Sequence, residues 1–252
     1  MRPGRLIRPG LAGLLLAFLA APAAFAPLLA PLTENGAPAI YAQTPLWSLA
    51  AQHLLLVLAA TAAASLVAVS LAILVTRKAG AEFLPLSRAL ADLGQTFPPV
   101  AVLALAVPLL GFGAVPTLVA LFLYGLLPVF ETALAGLTAI PPEVAEAARG
   151  MGLTERQRLR MVELPLAWPV ILSGIRLSAV IALATATIGS TVAASTLGEV
   201  IVAGLLTGNT AFVLQGGLIV GTLAVLIDGG FRAAERRARL RLGLSDPPAG
   251  GP

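Results

Sequence analysis

The chain has no cysteine, one histidine and one lysine among its 252 residues. Without cysteine there is no disulfide framework, thiol nucleophile or thiolate metal site. The lone histidine, His53, cannot build a histidine cluster. A P-loop needs G-x-x-x-x-G-K-[S/T]. The only lysine, Lys78, follows Arg77, so the chain has no Walker A motif and any energy must come from a partner or an ion gradient. Charge is scarce as well, at 11% of residues. No paired-carboxylate hydrolase site or nucleophile elbow is evident, which places an integral membrane enzyme last, and no cofactor is implied. The absence of an evident internal repeat weighs against inverted-repeat secondary transporters.

What the chain has in abundance is apolar surface. Hydrophobic residues make up 58% of it, and the mean hydropathy is +0.94. Long apolar runs of this kind read as transmembrane helices. Six are expected: Leu11–Leu32, Leu49–Val75, Ala91–Leu110, Ala114–Leu137, Pro169–Ala194 and Ala211–Phe231. Ala24-Phe25-Ala26 also fits a signal-peptide cleavage site, and topology downstream is the same either way. The fold class is thus an all-α integral membrane protein. Residues 1–47 form an anchor helix and loop, 48–231 the membrane domain, and 232–252 a basic tail ending in the disordered-type string SDPPAGGP. Internal prolines such as Pro98, Pro99, Pro108 and Pro128 imply kinked helices, whether for packing or as hinges along a pathway.

The charges have sides. Arg2, Arg5, Arg8, Arg77, Lys78, the four arginines of residues 149–160 and the five of Arg232–Arg241 all fall on one face of the six-span arrangement. Arg88 and Arg176 lie within snorkelling reach of it. By the positive-inside rule both termini and the loop 138–167 are cytoplasmic. Trp47 and Trp168 fall near opposite interfaces. The high pI therefore reflects membrane orientation rather than nucleic-acid binding.

Eight charges crowd into Glu143–Glu163. Pro142 suits the first position of a helix, and Glu143 and Glu146 favour its N-terminal dipole. Gly150 and Gly152 end that helix. Thr154 and Gln157 have capping-box spacing for a second. Arg156, Arg158 and Arg160 decorate this helix, whose apolar residues are Leu159, Met161 and Val162, and Leu164-Pro165 is expected to stop it. On composition alone such a loop is either an ordinary solvated connection or a projecting knob.

The segment resembles the EAA loop of binding-protein-dependent ABC-importer permeases. Glu146-Ala147-Ala148 is followed by three residues, Gly152, nine residues, Val162, one residue and Leu164-Pro165. Val162 replaces the commoner isoleucine. The strings QTFPPVAVLALAVPLLGFG and LFLYGLLPVFETALAGL widen the resemblance, from about Leu84 to Arg237, toward the osmoprotectant branch. That branch imports glycine betaine, choline, carnitine or proline-type solutes. The resemblance implies that Glu146, Ala147, Ala148, Gly152, Leu164 and Pro165 form a coupling loop for a cytoplasmic ATP-binding subunit. It also implies a second permease chain, a substrate-binding protein outside the membrane, and residence in the bacterial inner membrane amid lipid.

Other polar groups lie in or near the spans. Glu131 and Asp92 are candidates for a pathway or gate, against a structural pair between Glu131 and a base such as Arg176. Asp228 is placed to pair with Arg232 four residues on, and His53 is expected at an interface. Gln95, Thr96, Thr185, Thr187, Ser190 and Thr191 either line a polar cavity or bond their own helices. A permease for another small solute such as an amino acid is the nearest alternative. An ion-coupled transporter or channel using Glu131 and Asp92 is the alternative of another class.

Overall fold

The computed structural model describes residues 4–34 and 36–243. Arg2 and the string SDPPAGGP, on which expectations were placed, lie outside them. The chain is helical: α1 (Gly4–Ala20), α2 (Ala26–Leu29), α3 (Leu46–Val75), α4 (Leu84–Thr96), α5 (Pro99–Leu110), α6 (Ala114–Thr138), α7 (Pro142–Gly150), α8 (Glu155–Arg158), α9 (Leu164–Ala186), α10 (Gly198–Thr207) and α11 (Thr210–Arg241). The stretches carrying α3, α6, α9 and α11 are each long and apolar enough to cross a membrane unbroken.

The other two expected spans are broken. The chain turns by 108° between Arg8–Ala20 and Pro22–Leu32, and by 97° between Ala81–Thr96 and Pro99–Leu110. Both breaks have one cause. The proline ring disfavours the α region for the residue before it. Ala21, before Pro22, has φ −139° and ψ 63°. Phe97, before Pro98, and Pro98, before Pro99, have ψ values of 140° and 145°. The continuous spans expected at Leu11–Leu32 and Ala91–Leu110 are corrected accordingly. A break at membrane depth frees backbone groups that must find partners. The Tyr124 hydroxyl of α6 donates to the Phe97 carbonyl.

Helices α3, α6 and α9 form the centre, with α11 on α9, α4 on α6 and α1 on α11. Small residues set the closeness, as lipid-embedded helices require. A Cβ on Gly174 would overlap Thr132 and the Pro128 carbonyl, and one on Gly94 would overlap the Leu123 backbone. Helix α11 runs ten residues beyond Phe231, because the basic sequence after it still forms helix well. The connector Ser195–Thr210 contains α10. Loop residues 36–45 are tied down opposite the basic end. Tyr41 Oη donates to Glu199 at 2.5 Å, and Thr44 Oγ1 to the same carboxylate at 2.7 Å. Burial first, then the Glu199 carboxylate, pushes the Tyr41 phenol up to about 12.

Candidate functional site

The charged loop folds as two short helices on the basic end of the bundle. Pro142 occupies the first turn of α7 beside Glu143. The helix ends in a Schellman turn. The Leu153 amide donates to the Ala148 carbonyl at 3.2 Å, and the Gly152 amide to that of Arg149 at 2.9 Å. Gly152 sits at φ +77°, where a Cβ clashes with the backbone but glycine does not. The Thr154–Gln157 capping box is complete, with both reciprocal bonds formed.

Helix α8 is only one turn long, and the expected stop at Leu164-Pro165 does not occur. The chain instead passes through a π turn, Leu159–Glu163, directly into α9. A proline ring clashes with the carbonyl four residues earlier and offers no N–H. A π turn widens the helix just before Pro165 and removes that conflict. Leu164 and Pro165 therefore join the loop rigidly to a membrane helix.

One buried carboxylate fixes the assembly. Glu163 accepts from Arg77 at 2.5 Å and from Arg158 at 2.7 Å. Arg77 lies just past the end of α3, so three parts of the chain meet on this side chain. Glu163 precedes the apolar run of α9. Burial alone would push its carboxyl up, but the two guanidiniums outweigh that and hold it below the usual carboxylate range. None of these three was singled out as a site residue from sequence. The available signal was one acid, Glu163, at the foot of an apolar run, with Arg77 ending another.

The loop has an inner and an outer face. Ala148 is 1% exposed. Its side chain is covered within the chain, on the inner face of α7. Glu146, Ala147, Gly152 and Met151 face outward, with Met151 71% exposed.

The remaining polar residues distribute differently from expectation. Glu131 pairs with Arg88 at 3.0 Å across α6 and α4, not with Arg176, and both side chains are about half exposed. Asp92 is exposed one turn along from Arg88. The structure thus gathers Arg88, Asp92 and Glu131 on one outward face, distant in sequence from the loop. Arg176 instead bridges Asp228 at 2.9 Å and Glu235 at 2.7 Å, stapling α9 to α11. The Asp228–Arg232 pair forms as expected, at 2.7 Å.

His53 is fully buried, not interfacial. Its Nε2 lies 3.1 Å from the Leu183 carbonyl, and its Nδ1 lies 3.4 Å from the Leu197 amide. A carbonyl only accepts and an amide only donates, so a neutral ring protonated on Nε2 satisfies both. Of the hydroxyls weighed as cavity-lining, those of Thr96, Thr187, Ser190 and Thr191 bond carbonyls three or four residues back. Among the described residues no cluster of three or more His, Asp or Glu side chains could hold a metal ion.

Comparison with known proteins places this geometry. Residues 68–240 match the family described as binding-protein-dependent transport system inner membrane component. An osmoprotectant import permease protein, OsmY of Salmonella typhimurium, is 44% identical over 163 residues, covering 65% of this chain and 69% of that protein. A choline transport system permease protein, OpuBB of Bacillus subtilis, is 37% identical over 66% of this chain and 75% of its own length. The fold also matches the MetNI methionine ABC transporter in an inward-facing conformation. There the TM-score is 0.68, with 19% identity, over 79% of this chain and 99% of that one. An all-α bundle with a projecting charged loop, matched over most of its length, makes the chain a multi-pass inner-membrane protein of the binding-protein-dependent transport system permease family.

Proposed function

We propose that the chain is the membrane-spanning subunit of an ABC importer that takes up a quaternary-ammonium or similar compatible solute. The observation that carries the solute class is the 44% and 37% identity to permeases named for osmoprotectant and choline transport. Likeness to methionine and amino-acid transporters at about 20% identity bears on the fold alone.

In this reading the basic end of the bundle faces the cytoplasm. A separate ATP-binding subunit docks on the outer face of α7, where Glu146, Ala147 and Met151 are exposed. Motion of that subunit passes through the Gly152 turn and the π turn into α9, because Glu163 and Pro165 leave the loop no independent hinge. A second permease chain, identical or related, completes the pathway. It covers the outward face that carries Arg88, Asp92 and Glu131, where half-exposed charge would otherwise meet lipid. A binding protein delivers the solute from the opposite side.

The test is reconstitution of the chain with the ATP-binding and substrate-binding chains that co-purify with it. Uptake of labelled glycine betaine or choline should require ATP inside the vesicles. Uptake of an amino acid in preference to both would overturn the solute class. Uptake by the chain alone, driven by a sodium or proton gradient, would overturn the ABC mechanism.

A further inference from the structure

We propose that the cleft between the foot of α9 and the basic end of α11 binds the phosphate headgroup of an anionic phospholipid. The cleft has a volume of about 610 Å³ and is lined by Arg160, Arg237 and Arg241 together with Leu164, Trp168 and Leu172. The arginines come from two elements. Arg160 belongs to the π turn, whereas Arg237 and Arg241 are four residues apart on one face of α11.

Two features point to a lipid. The first is charge. Among the described residues, none of the three arginines has a carboxylate within 4.0 Å, although Arg77, Arg88, Arg158, Arg176 and Arg232 all do. Three like charges around one cleft repel each other, and a phosphate diester relieves that repulsion. The planar guanidinium fork also matches phosphate oxygens. The second feature is the wall. Trp168 is 45% exposed, and an indole at the headgroup level packs its apolar body against acyl chains. A free anion uses only the arginines, while a phospholipid uses arginines and wall together.

Arg237 and Arg241 share the cleft with Trp168, past the apolar part of α11. Helical side chains lean toward the helix N-terminus, which on α11 points back to the bilayer. Basic pockets between membrane helices recognise anionic headgroups by this combination. A lipid held here ties the π turn, through which the charged loop joins α9, to α11.

The full chain is purified in detergent and titrated with phosphatidylglycerol or phosphatidylethanolamine, and bound lipid is counted by native mass spectrometry. Phosphatidylglycerol should be retained preferentially. The double variant Arg237→Gln/Arg241→Gln should weaken it roughly thirtyfold. Arg236→Gln/Arg239→Gln removes the same charge from the same helix away from the cleft and should leave binding within about twofold. Trp168→Ala should weaken both lipids. Equal loss in the two arginine doubles, or no preference between lipids, would overturn the proposal. Displacement of the lipid by millimolar inorganic phosphate would reassign the cleft to a soluble anion. Unchanged lipid binding with loss of the co-purifying ATP-binding chain would reassign it to a protein contact.

Discussion

Glu163 is the side chain on which the charged loop depends, because it is buried with one guanidinium from each side. Removing its charge strands Arg77 and Arg158 in a half-buried site. Both arginines keep some exposure, so solvent offsets part of the loss, and Glu163→Gln should cost about 1–2 kcal/mol locally. The readout is trypsin cleavage within residues 149–160, expected to rise roughly tenfold while the membrane helices stay protected. Its pH dependence has a definite sign. The folded carboxyl is held below its ordinary value of 4.5. The pair therefore contributes fully above that value and is lost as pH falls through the depressed one. Wild-type protection should be flat from neutral pH to mild acid and fall only below it; Glu163→Gln should be cleaved readily throughout. A wild-type loop that loosened between pH 7 and 6 would exclude Glu163 as the cause. Gly152 works differently. Nothing lies within 4 Å of where its Cβ would be, so substitution is penalised by backbone conformation alone. Gly152→Val should cost about 1–2 kcal/mol at φ +77°, with normal membrane abundance but weakened ATPase association and uptake. Gly152→Asn, which tolerates that conformation better, should retain more of both. Full association and uptake in Gly152→Val would remove the turn from the coupling role.

At the scale of elements, prolines decide which apolar runs stay whole. Pro128 and Pro169 sit inside α6 and α9 without breaking them, whereas Phe97-Pro98-Pro99 turns the chain by 97°. At Phe97-Pro98-Pro99 two successive residues leave the α region, and one widened turn cannot absorb that. Replacing Pro98 and Pro99 together with alanine should allow α4 and α5 to merge. Spin labels at Leu90 and Ala106 would then separate from about 16 Å to about 24 Å, the length of sixteen helical residues. An unchanged distance would show that packing, with Tyr124 on the Phe97 carbonyl, holds the bend instead. The same contrast explains what could be read from sequence. Hydropathy located all the membrane runs, and the cap residues located α7 and the start of α8, since those signals are local. The bends at Ala21 and Phe97 were hidden inside runs that stay apolar across them. The π turn was hidden because Leu-Pro normally ends a helix, and the Glu163 contacts with Arg77 and Arg158 that accompany it are long-range or depend on the turn itself. His53 was misplaced for a related reason. Its partners, Leu183 and Leu197, are main-chain atoms over a hundred residues away, and no side-chain pattern announces them.

At the scale of the whole molecule, the arrangement separates two ends by charge. The charged loop, Arg77 and the last turns of α11 share one end, and the loop 36–45 with α10 shares the other. That second end carries Glu199 and no lysine or arginine between residues 33 and 47 or 195 and 210. A membrane potential and an anionic inner leaflet both favour keeping the basic end inside, so orientation follows from the fold once the helices are placed. Single cysteines can be introduced without background, because the chain has none. In intact cells, Thr33→Cys and Thr207→Cys should react with a membrane-impermeant maleimide, and Thr154→Cys only after the membrane is opened. Labelling of Thr154→Cys in intact cells would overturn the orientation and the cytoplasmic docking face together. Labelling of Thr207→Cys, with Thr154→Cys silent, fixes α9 as a full crossing between the charged loop and α10.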